Sequence, residues 1–247
     1  MPSNLPLAGK MIFLTGTQKV QTIASFIEMQ GGKVAAFPLI ETNEIMAADD
    51  AQRTFLCNDY DWLIFTSQNA VSAFAAKLER FQVEVQQIRC KVAAVGEKTA
   101  ELLQMHGFQV DFMPSTYSAD IFVQEFKGSG RVLFIRGNLA KSTITEGIGA
   151  DEWTVYETLP TSLHIQAFKD ALLAEPNPIV VFASPSAVHT YASEIASTIA
   201  WQRVKFATIG HVTTRTLAGY GVEPVVQPKN YTMRAVIELL ILEESKP

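Results

Sequence analysis

The chain of 247 residues has few of the features that would narrow its function at once. It has two cysteines, Cys57 and Cys90, which are too few for a disulfide scaffold and give no metal-ligand spacing. No apolar run approaches the ~20 residues of a membrane-spanning helix, and the amino terminus lacks a basic start followed by a long apolar stretch. We therefore expect a cytoplasmic protein with no membrane partner.

The common motifs for nucleotides, metals and covalent nucleophiles are also missing. The sequence contains no G-x-G-x-x-G, no G-x-x-x-x-G-K-[ST], no H-E-x-x-H and no G-x-S-x-G. Its four histidines share no ligand spacing, and a net charge of −5 argues against nucleic acid as a partner. We expect no metal and no cofactor, so that a reaction here would depend on positioning and electrostatics.

What the chain does contain is an internal repeat, which bears directly on its architecture. Residues 92–126 and 206–240 align without a gap and are identical at seven of 35 positions. Composition alone would give about two identities. The identical pairs are Ala93/Ala207, Gly96/Gly210, Thr99/Thr213, Leu103/Leu217, Gly107/Gly221, Pro114/Pro228 and Tyr117/Tyr231. The repeat indicates two similar α/β halves and a candidate site between them.

Other blocks of sequence recur in the same order in both halves. KMIFLTG from Lys10 resembles RVLFIRG from Arg131, and FTSQNAV from Phe65 resembles FASPSAV from Phe182. No linker rich in proline, glycine or serine separates the halves. Composition therefore does not place a domain boundary.

Short apolar runs alternate with helix-length segments. Many runs are rich in Val, Ile and Phe without polar alternation, which is typical of parallel strands covered on both faces. The predicted strands are Met11–Leu14, Val34–Phe37, Trp62–Phe65, Val92–Val95, Gln109–Phe112, Val132–Ile135, Thr154–Tyr156, Ile179–Phe182, Phe206–Ile209 and Glu223–Val226. The clearest predicted helices are Val20–Met29, Ala70–Leu78, Thr99–His106, Ala187–Ile195 and Thr213–Ala218. This alternation predicts βαβ units with right-handed crossovers.

Polar residues cluster where the predicted strands end and helices begin. Ligands of open α/β sheets bind outside the carboxyl ends of strands, where free N–H groups of helix N-termini attract carboxylates and phosphates. Ordinary capping explains each turn taken alone, but five turns recurring in both halves favour a shared anion-binding surface. The candidate binding residues are Ser67, Gln68, Asn69, Gly96, Thr99, Arg136, Gly137, Ser184, Ser186, Gly210 and Thr213.

Tyr156 breaks the symmetry of the repeat. When KVAAFPLIET from Lys33 is laid against EWTVYETLPT from Glu152, Tyr156 pairs with Phe37. A hydroxyl at only one of two equivalent positions is explained equally well by function and by drift. The residues alone make Tyr156 a candidate for chemistry without deciding its role.

Taken together, these blocks resemble the uroporphyrinogen-III synthase family of tetrapyrrole biosynthesis. The resembling segments are FTSQNAV, VAAVGEKTA, LFIRGN, VYET, FASPSAV, ATIGHVTTRTL and the blocks Pro114–Tyr117 and Pro228–Tyr231. They occur in the family's order over nearly the whole chain. His211 departs from the family pattern, in which proline is frequent at that place.

The resemblance implies an α/β fold of two flavodoxin-like parallel-sheet domains joined by a two-stranded β connection. One domain would consist of residues 1–37 and 159–247, and the other of residues 42–152. The connecting strands would lie near 35–41 and 155–159. Domains that interleave in this way differ from the halves in series that the repeat suggests.

The family's reaction converts hydroxymethylbilane, a linear tetrapyrrole, to uroporphyrinogen III with loss of water and inversion of ring D. The enzyme is a hydro-lyase that needs no cofactor and works in the cleft between its domains. The resemblance makes Tyr156 the catalytic donor that helps the hydroxyl group to leave. It gives Thr213 and its repeat mate Thr99 a role in binding the carboxylates or in capping, and Ser67 and Ser184 match family serines.

The resemblance further implies a monomer that meets the preceding enzyme, hydroxymethylbilane synthase, in transient contact. The alternative from another class is a two-lobed small-molecule binding protein of the periplasmic type, without catalytic activity. A glycosyltransferase-like enzyme with two nucleotide-binding halves is a second alternative. The missing signal sequence counts against the first, and the shortness of the chain counts against the second.

Overall fold

The computed structural model describes residues 5–16 and 20–245, which divide into two units by their internal contacts. Unit 1 is the described part of Met1–Glu41 and Leu159–Pro247, and unit 2 is Thr42–Thr158. The domain bounds and connecting strands implied by the family resemblance remain a prediction.

Strands and helices alternate along most of the described chain. The strands are β1 (Met11–Leu14), β2 (Lys33–Ala36), β3 (Ile40–Glu44), β4 (Trp62–Phe65), β5 (Lys91–Ala94), β6 (Val132–Gly137), β7 (Asp151–Pro160), β8 (Pro178–Phe182) and β9 (Lys205–Thr208). The helices are α1 (Val20–Met29), α2 (Asp50–Leu56), α3 (Gln68–Arg80), α4 (Glu97–Met105), α5 (Ala119–Glu125), α6 (Thr143–Ile148), α7 (Ile165–Ala174), α8 (Pro185–Glu194), α9 (His211–Ala218) and α10 (Met233–Glu244). Short 3₁₀ helices lie at Cys57–Asp59, Val85–Gln87 and Trp201–Arg203.

Unit 1 is built on a parallel sheet with the strand order β2-β1-β8-β9. Alternate residues of β8 enter two different core clusters: Val180 and Phe182 join one, whereas Ile179 and Val181 join the other. Successive side chains of a strand point to opposite faces, so both faces of this sheet are buried. This explains why the strands of unit 1 read as continuous apolar runs.

Unit 2 has a five-stranded sheet with the order β3-β7-β6-β4-β5. The pairs β7-β6, β6-β4 and β4-β5 are parallel. Ile45 N–H donates to the Val155 carbonyl at 2.9 Å, whereas Leu39 accepts from Thr161 N–H at 3.1 Å. Residue numbers rise from 39 to 45 on one side of this pair while they fall from 161 to 155 on the other. The strands β3 and β7 are therefore antiparallel.

Each sheet combines strands from both copies of the sequence repeat. β1 and β2 belong to the first copy and pair in unit 1 with β8 and β9 of the second copy. Unit 2 takes β4 and β5 from the first copy, and β6 and β7 from the second. Because β1 matches β6 and β4 matches β8, the two sheets have the same order of equivalent strands. The repeated sequence therefore corresponds to a repeated strand arrangement, but its copies are not the units.

Two of the predicted strands were wrong. Gln109–Phe112 and Glu223–Val226 each supply only one bridging residue at a sheet edge, in the bridges Ala93↔Phe112 and Ala207↔Val226. In the first segment the Asp111 carboxylate accepts the Val92 N–H at 2.8 Å, in place of a backbone carbonyl. In the second, Pro224 has no N–H to donate to a neighbouring strand. Extended pairing is lost at both edges.

A buried ion pair fixes the segment that follows β3. Lys77 of α3 is fully buried, and its ammonium group donates to Asp50 of α2 and to the carbonyl oxygen of Ile45. Glu44, at the end of β3, lies 3.2 Å from the same ammonium group and also binds Arg80. Removal of one member of a buried pair leaves an uncompensated charge, so the pair ties α2, α3 and the end of β3 together.

Candidate functional site

The carboxyl ends of three neighbouring strands in unit 2 bring the first group of predicted residues together. β4 ends at Phe65, two residues before Ser67, and β6 ends at Gly137. Ser67 is the N-cap of α3, where its Oγ accepts the Ala70 N–H at 3.2 Å. Parallel strands place their carboxyl ends at the same edge of a sheet, so these residues meet although they are distant in sequence.

Tyr156 lies on the neighbouring strand β7 and contacts both of these residues. Its hydroxyl oxygen is 3.0 Å from Ser67 Oγ. A Cβ atom added to Gly137 would lie 2.3–2.7 Å from three ring carbons of Tyr156, so the ring lies against the bare backbone of this glycine. Ser67, Gly137 and Tyr156 thus form one cluster at the carboxyl edge of the unit 2 sheet.

Asn138, which follows β6, holds the backbone of β7 at Tyr156 and at Thr158. Its backbone N–H donates to the carbonyl of Tyr156 at 3.1 Å. Its side chain accepts the Thr158 N–H at 2.9 Å and donates to the Thr158 carbonyl at 3.3 Å. Asn138 is not among the predicted binding residues, and no spacing in the sequence indicates its pair with Thr158.

Arg136 precedes Gly137, and its guanidinium group is held inside unit 2. It pairs with Glu152, donates to the Ala140 carbonyl, and its Nε donates to the Gly137 carbonyl at 3.2 Å. The side chain is 11% exposed. This cation supports the turn after β6, and its predicted contact with substrate stays a prediction.

The other predicted residues of unit 2 lie at the starts of α3 and α4. Gln68 and Asn69 occupy the first turn of α3 and are partly exposed. Gly96 is the N-cap of α4, and a Cβ atom added there would meet open space. Thr99 is buried in the first turn of α4. Gly96 therefore leaves the N-terminus of α4 accessible, whereas Thr99 faces the protein interior.

The equivalent residues of unit 1 show the same local geometry. Ser184 is the N-cap of α8, and its Oγ accepts the Ala187 N–H at 3.2 Å. The carbonyl of Ser186 accepts the Thr190 hydroxyl at 3.1 Å, while Gly210 caps α9 and Thr213 is buried in its first turn. Helix capping therefore recurs at both predicted turns of unit 1.

Tyr231 distinguishes the α9 turn from its repeat mate in unit 2. A Cβ atom on Gly210 would lie 2.9 Å from the Tyr231 ring, and the Tyr231 hydroxyl is 2.7 Å from His211 Nδ1. Gly96 has no such cover, although the sequence repeats the tyrosine as Tyr117. Identity in the repeat therefore does not give the two tyrosines the same surroundings.

Two further properties concern only residues 5–16 and 20–245. No three His, Cys, Asp or Glu side chains in these ranges are grouped so that they could hold a metal ion. None of the helices found there has the length and apolar character needed to cross a membrane.

The comparisons with known proteins agree on one family. Residues 21–238 match the family model described as uroporphyrinogen-III synthase HemD. The chain belongs to the uroporphyrinogen-III synthase family. The uroporphyrinogen-III synthase of Synechococcus elongatus is 27% identical in an alignment of 261 positions, gaps included, that covers 97% of this chain and 96% of that relative.

Solved structures of the same family share the fold. A mutant uroporphyrinogen III synthase from Thermus thermophilus has a TM-score of 0.73 at 14% identity, with coverage of 96% of this chain and 100% of that chain. The uroporphyrinogen-III synthetase of Helicobacter pylori has a TM-score of 0.68 at 23% identity, with coverage of 94% and 99%. The predicted mixed α/β fold with parallel sheets is confirmed.

Membership of this family decides between the classes that the sequence left open. It makes the chain an enzyme of heme biosynthesis, a lyase-type cyclase that acts on a tetrapyrrole. The non-catalytic binding protein and the glycosyltransferase-like enzyme are therefore set aside.

Proposed function

We propose that the chain closes hydroxymethylbilane to uroporphyrinogen III with inversion of ring D, and that Tyr156 assists departure of the substrate hydroxyl. The observation that supports this role is the cluster in which Ser67 and Gly137 hold the Tyr156 phenol at the carboxyl edge of the sheet. A phenol in this place provides a hydrogen-bond donor where ligands of open α/β sheets bind.

The departing hydroxyl determines what the site has to do. Loss of water from the hydroxymethyl carbon leaves an azafulvenium cation, which must be kept from water until the ring closes. Spontaneous closure gives the uninverted isomer, so the enzyme must hold the chain with the substituted carbon of ring D nearest to the cation. Holding the two reacting carbons in this orientation is the larger part of the catalytic task.

The substrate carboxylates need binding groups, which the starts of four helices can supply. α3, α4, α8 and α9 each begin just after the carboxyl end of a strand. Free N–H groups at helix N-termini bind carboxylates without requiring a basic protein, which suits a chain of net charge −5. We assign substrate binding to the predicted residues at these helix starts and to two residues at the end of β6. The first set is Ser67, Gln68, Asn69, Gly96, Thr99, Ser184, Ser186, Gly210 and Thr213, and the second is Arg136 and Gly137.

We also infer that each unit is a flavodoxin-like domain and that β3 and β7 form the connection between the domains. The strand order of unit 1, with the bridge at Val226 as a fifth position, is the flavodoxin-like order 2-1-3-4-5. Unit 2 has the same order if β6 is counted as the first strand, β7 as the second, β4 as the third and β5 as the fourth, with the bridge at Phe112 as the fifth position. The division of the chain between Glu41 and Thr42, within β3, supports this assignment.

The instability of the substrate bears on its delivery. Hydroxymethylbilane closes spontaneously to the wrong isomer, so a short path from the enzyme that makes it reduces the loss. We propose that the chain acts as a monomer and meets hydroxymethylbilane synthase in transient contact. Gel filtration of the chain alone and mixed with that enzyme tests both statements.

The isomer of the product tests the proposed reaction. We expect the purified chain, incubated with enzymatically generated hydroxymethylbilane, to give uroporphyrin III after oxidation, as resolved by chromatography. The matching incubation without the chain gives the type I isomer. A product that remains type I in the presence of the chain would contradict the proposed function.

Two tyrosine variants test the role of Tyr156 in the same assay. Tyr156→Phe keeps the ring against Gly137 but loses the donor, and we expect kcat to fall about tenfold or more. Tyr60→Phe is the matched control. It also removes a tyrosine hydroxyl that makes a hydrogen bond, in this case to Asp151 at 3.0 Å, but at the opposite edge of the sheet. Unchanged kcat in Tyr156→Phe would remove Tyr156 from the mechanism.

A further inference from the structure

The hydrogen bonds of Ser67 restrict where its proton can go. A serine hydroxyl has one proton and two lone pairs. Ser67 Oγ already accepts the Ala70 N–H, and its second neighbour is the hydroxyl oxygen of Tyr156 at 3.0 Å. If Tyr156 donated in this pair, its own proton would be engaged with Ser67 and unavailable to the substrate.

We propose that Ser67 is a positioning residue for the reaction, because it donates its proton to Tyr156 Oη and leaves the phenol proton free for the departing hydroxyl of the substrate. This inference rests on the proposed function. For the Ser67 hydroxyl it replaces the substrate-binding role assigned above, because both of its hydrogen bonds are made to Ala70 and Tyr156.

The proton transfer balances over the reaction. The hydroxyl oxygen leaves with the electron pair of its bond to carbon and takes the phenol proton, so that water departs. The bond from Ser67 stabilises the phenolate oxygen that develops, since hydrogen bonds to charged acceptors are the stronger ones. The substituted carbon of ring D bears no hydrogen, so the proton returns only after inversion. The unsubstituted α-carbon of ring D then takes over the bond to the neighbouring ring and loses its hydrogen, which restores the proton of Tyr156.

The equivalent position in unit 1 shows that the second bond of Ser67 is not needed for capping. Ser184 caps α8 with the same 3.2 Å bond as Ser67 makes to α3. The repeat mate of Tyr156 is Phe37, which has no hydroxyl and is stacked on Phe168 at 4.9 Å. The same cap therefore forms without a phenol partner, so the bond to Tyr156 is an addition in unit 2.

The rest of the cluster fixes the Tyr156 ring, so that Ser67 has only the proton to orient. Gly137 leaves room for the ring on one side. Asn138 holds the strand at the Tyr156 carbonyl and at both backbone groups of Thr158. Loss of the Ser67 hydroxyl should therefore change the direction of the phenol proton more than the place of the ring.

Steady-state kinetics of Ser67 variants test the proposal in the full chain. We expect Ser67→Ala to lower kcat about 3- to 10-fold, the value of one hydrogen bond, while KM stays within about twofold. Ser67→Thr keeps the cap and the hydroxyl and should restore most of kcat. In the Tyr156→Phe background, Ser67→Ala should lower kcat by no more than about twofold, because the proton that Ser67 directs is gone.

A cap in the same unit provides the matched control. Ser118 caps α5 with a 3.2 Å bond to the Ile121 N–H and has no part in the cluster. Ser118→Ala should lower the melting temperature about as much as Ser67→Ala and leave kcat unchanged. A fall in kcat from Ser67→Ala that is equal in both backgrounds, or a rise in KM alone, would overturn the proposal.

The outcome for Ser67 is separable from the outcome for the reaction itself. A wild-type chain that gives only type I product would contradict the proposed function. A wild-type chain that gives type III product and is slowed by Tyr156→Phe but not by Ser67→Ala would contradict the role of Ser67 alone.

Discussion

At the scale of single residues, Gly137 sets the place of the Tyr156 ring. The register between β6 and β7 shifts at a bulge between Arg136 and Gly137, and this shift brings Gly137 opposite Tyr156. A bulge re-aims side chains locally, and here it directs the aromatic ring against the backbone of the neighbouring strand. The requirement for glycine at this position is one of space.

Gly137→Ala should therefore displace Tyr156. The added methyl group would lie within 2.3 Å of a ring carbon, so we expect kcat to fall at least as far as in Tyr156→Phe, together with a loss of stability of about 1–3 kcal/mol. Denaturant unfolding and the isomer assay measure the two effects.

The stability part of this prediction has a glycine control. Gly96→Ala adds the same methyl group in open space at the cap of α4, with φ −136, and should not lower stability comparably. Full activity in Gly137→Ala would show that the ring is not held against Gly137 in the working enzyme.

Sequence reasoning at this scale found candidates but not their contacts. Tyr156 was selected because it breaks the repeat, and Ser67 because it follows a strand. Their hydrogen bond joins residues 89 positions apart and depends on the order of β4, β6 and β7 in the sheet. The pair of His211 and Tyr231 has no sequence signal at all, since its repeat mates Glu97 and Tyr117 do not reproduce it.

At the scale of elements, apolar strands were predicted well because both faces of each sheet are buried. β1 and β4 have the predicted bounds, and β8 differs by one residue. β3 was missed as a strand of the sheet because its sequence, IETNE, is polar and partly exposed. α6 was missed because Gly147 and two threonines give it low helix propensity.

Two ion pairs add to the apolar contacts that hold α10 in unit 1, where Val236, Ile237 and Leu240 are buried in the core. The side chain of Glu244, at the end of α10, is 6% exposed and binds Lys10, just before β1, and Lys205 at the start of β9. Partial burial acts to raise the pKa of the Glu244 carboxyl, but the hydrogen bonds from Lys10 and Lys205 outweigh it and hold the pKa below its usual 4.5. The ionised carboxylate is therefore the form that the folded state favours.

This attachment should weaken in acid. A carboxyl group with a lowered pKa in the folded state adds stability above its unfolded pKa, and that stability is lost as pH falls through the folded pKa. We expect Glu244→Gln to lower the free energy of unfolding by about 1 kcal/mol at pH 7, and the difference from wild type to shrink below about pH 4.5.

Urea unfolding at several pH values checks this prediction. Glu238→Gln is the control, because Glu238 pairs with Arg234 on the exposed face of the same helix and should change stability by only a few tenths of a kcal/mol. A difference between wild type and Glu244→Gln that is constant down to pH 3 would contradict the role of the ionised carboxylate.

At the scale of the whole molecule, each copy of the repeat is divided between two sheets. The repeat could predict two similar halves but not this exchange, because sequence similarity does not record which strands are neighbours. The family resemblance implied an interleaved arrangement of domains, which stays a prediction. The polar contacts described above follow from the strand orders of the two units.

Unit 2 should fold when it is separated from the rest of the chain. A fragment of residues 40–160 keeps β3 and β7 whole and retains the core contact of Trp153 with Phe74, whose rings are 6.0 Å apart. We expect cooperative thermal unfolding, followed by circular dichroism, and the fluorescence of buried tryptophan.

A shorter fragment is the control for this prediction. Residues 62–150 lack β3 and β7 and so lose Trp153 and Val155 from the core. We expect this fragment to show no cooperative transition. The absence of a transition in the longer fragment as well would mean that unit 2 is not an independent domain.

The hydrogen bond between Leu39 and Thr161 has a consequence for how such a chain can change. The chain leaves unit 1 just after Leu39 and re-enters it just before Thr161, and the backbones of these two residues are joined by a single hydrogen bond of 3.1 Å. Paired strands lie about 4.8 Å apart, a gap that a two-residue hairpin turn closes. In the connectivity of unit 1, residues 42–158 therefore take the position that a hairpin turn has between two paired strands. A segment so placed can be lengthened, shortened or exchanged for another domain while the strands that flank it keep their register.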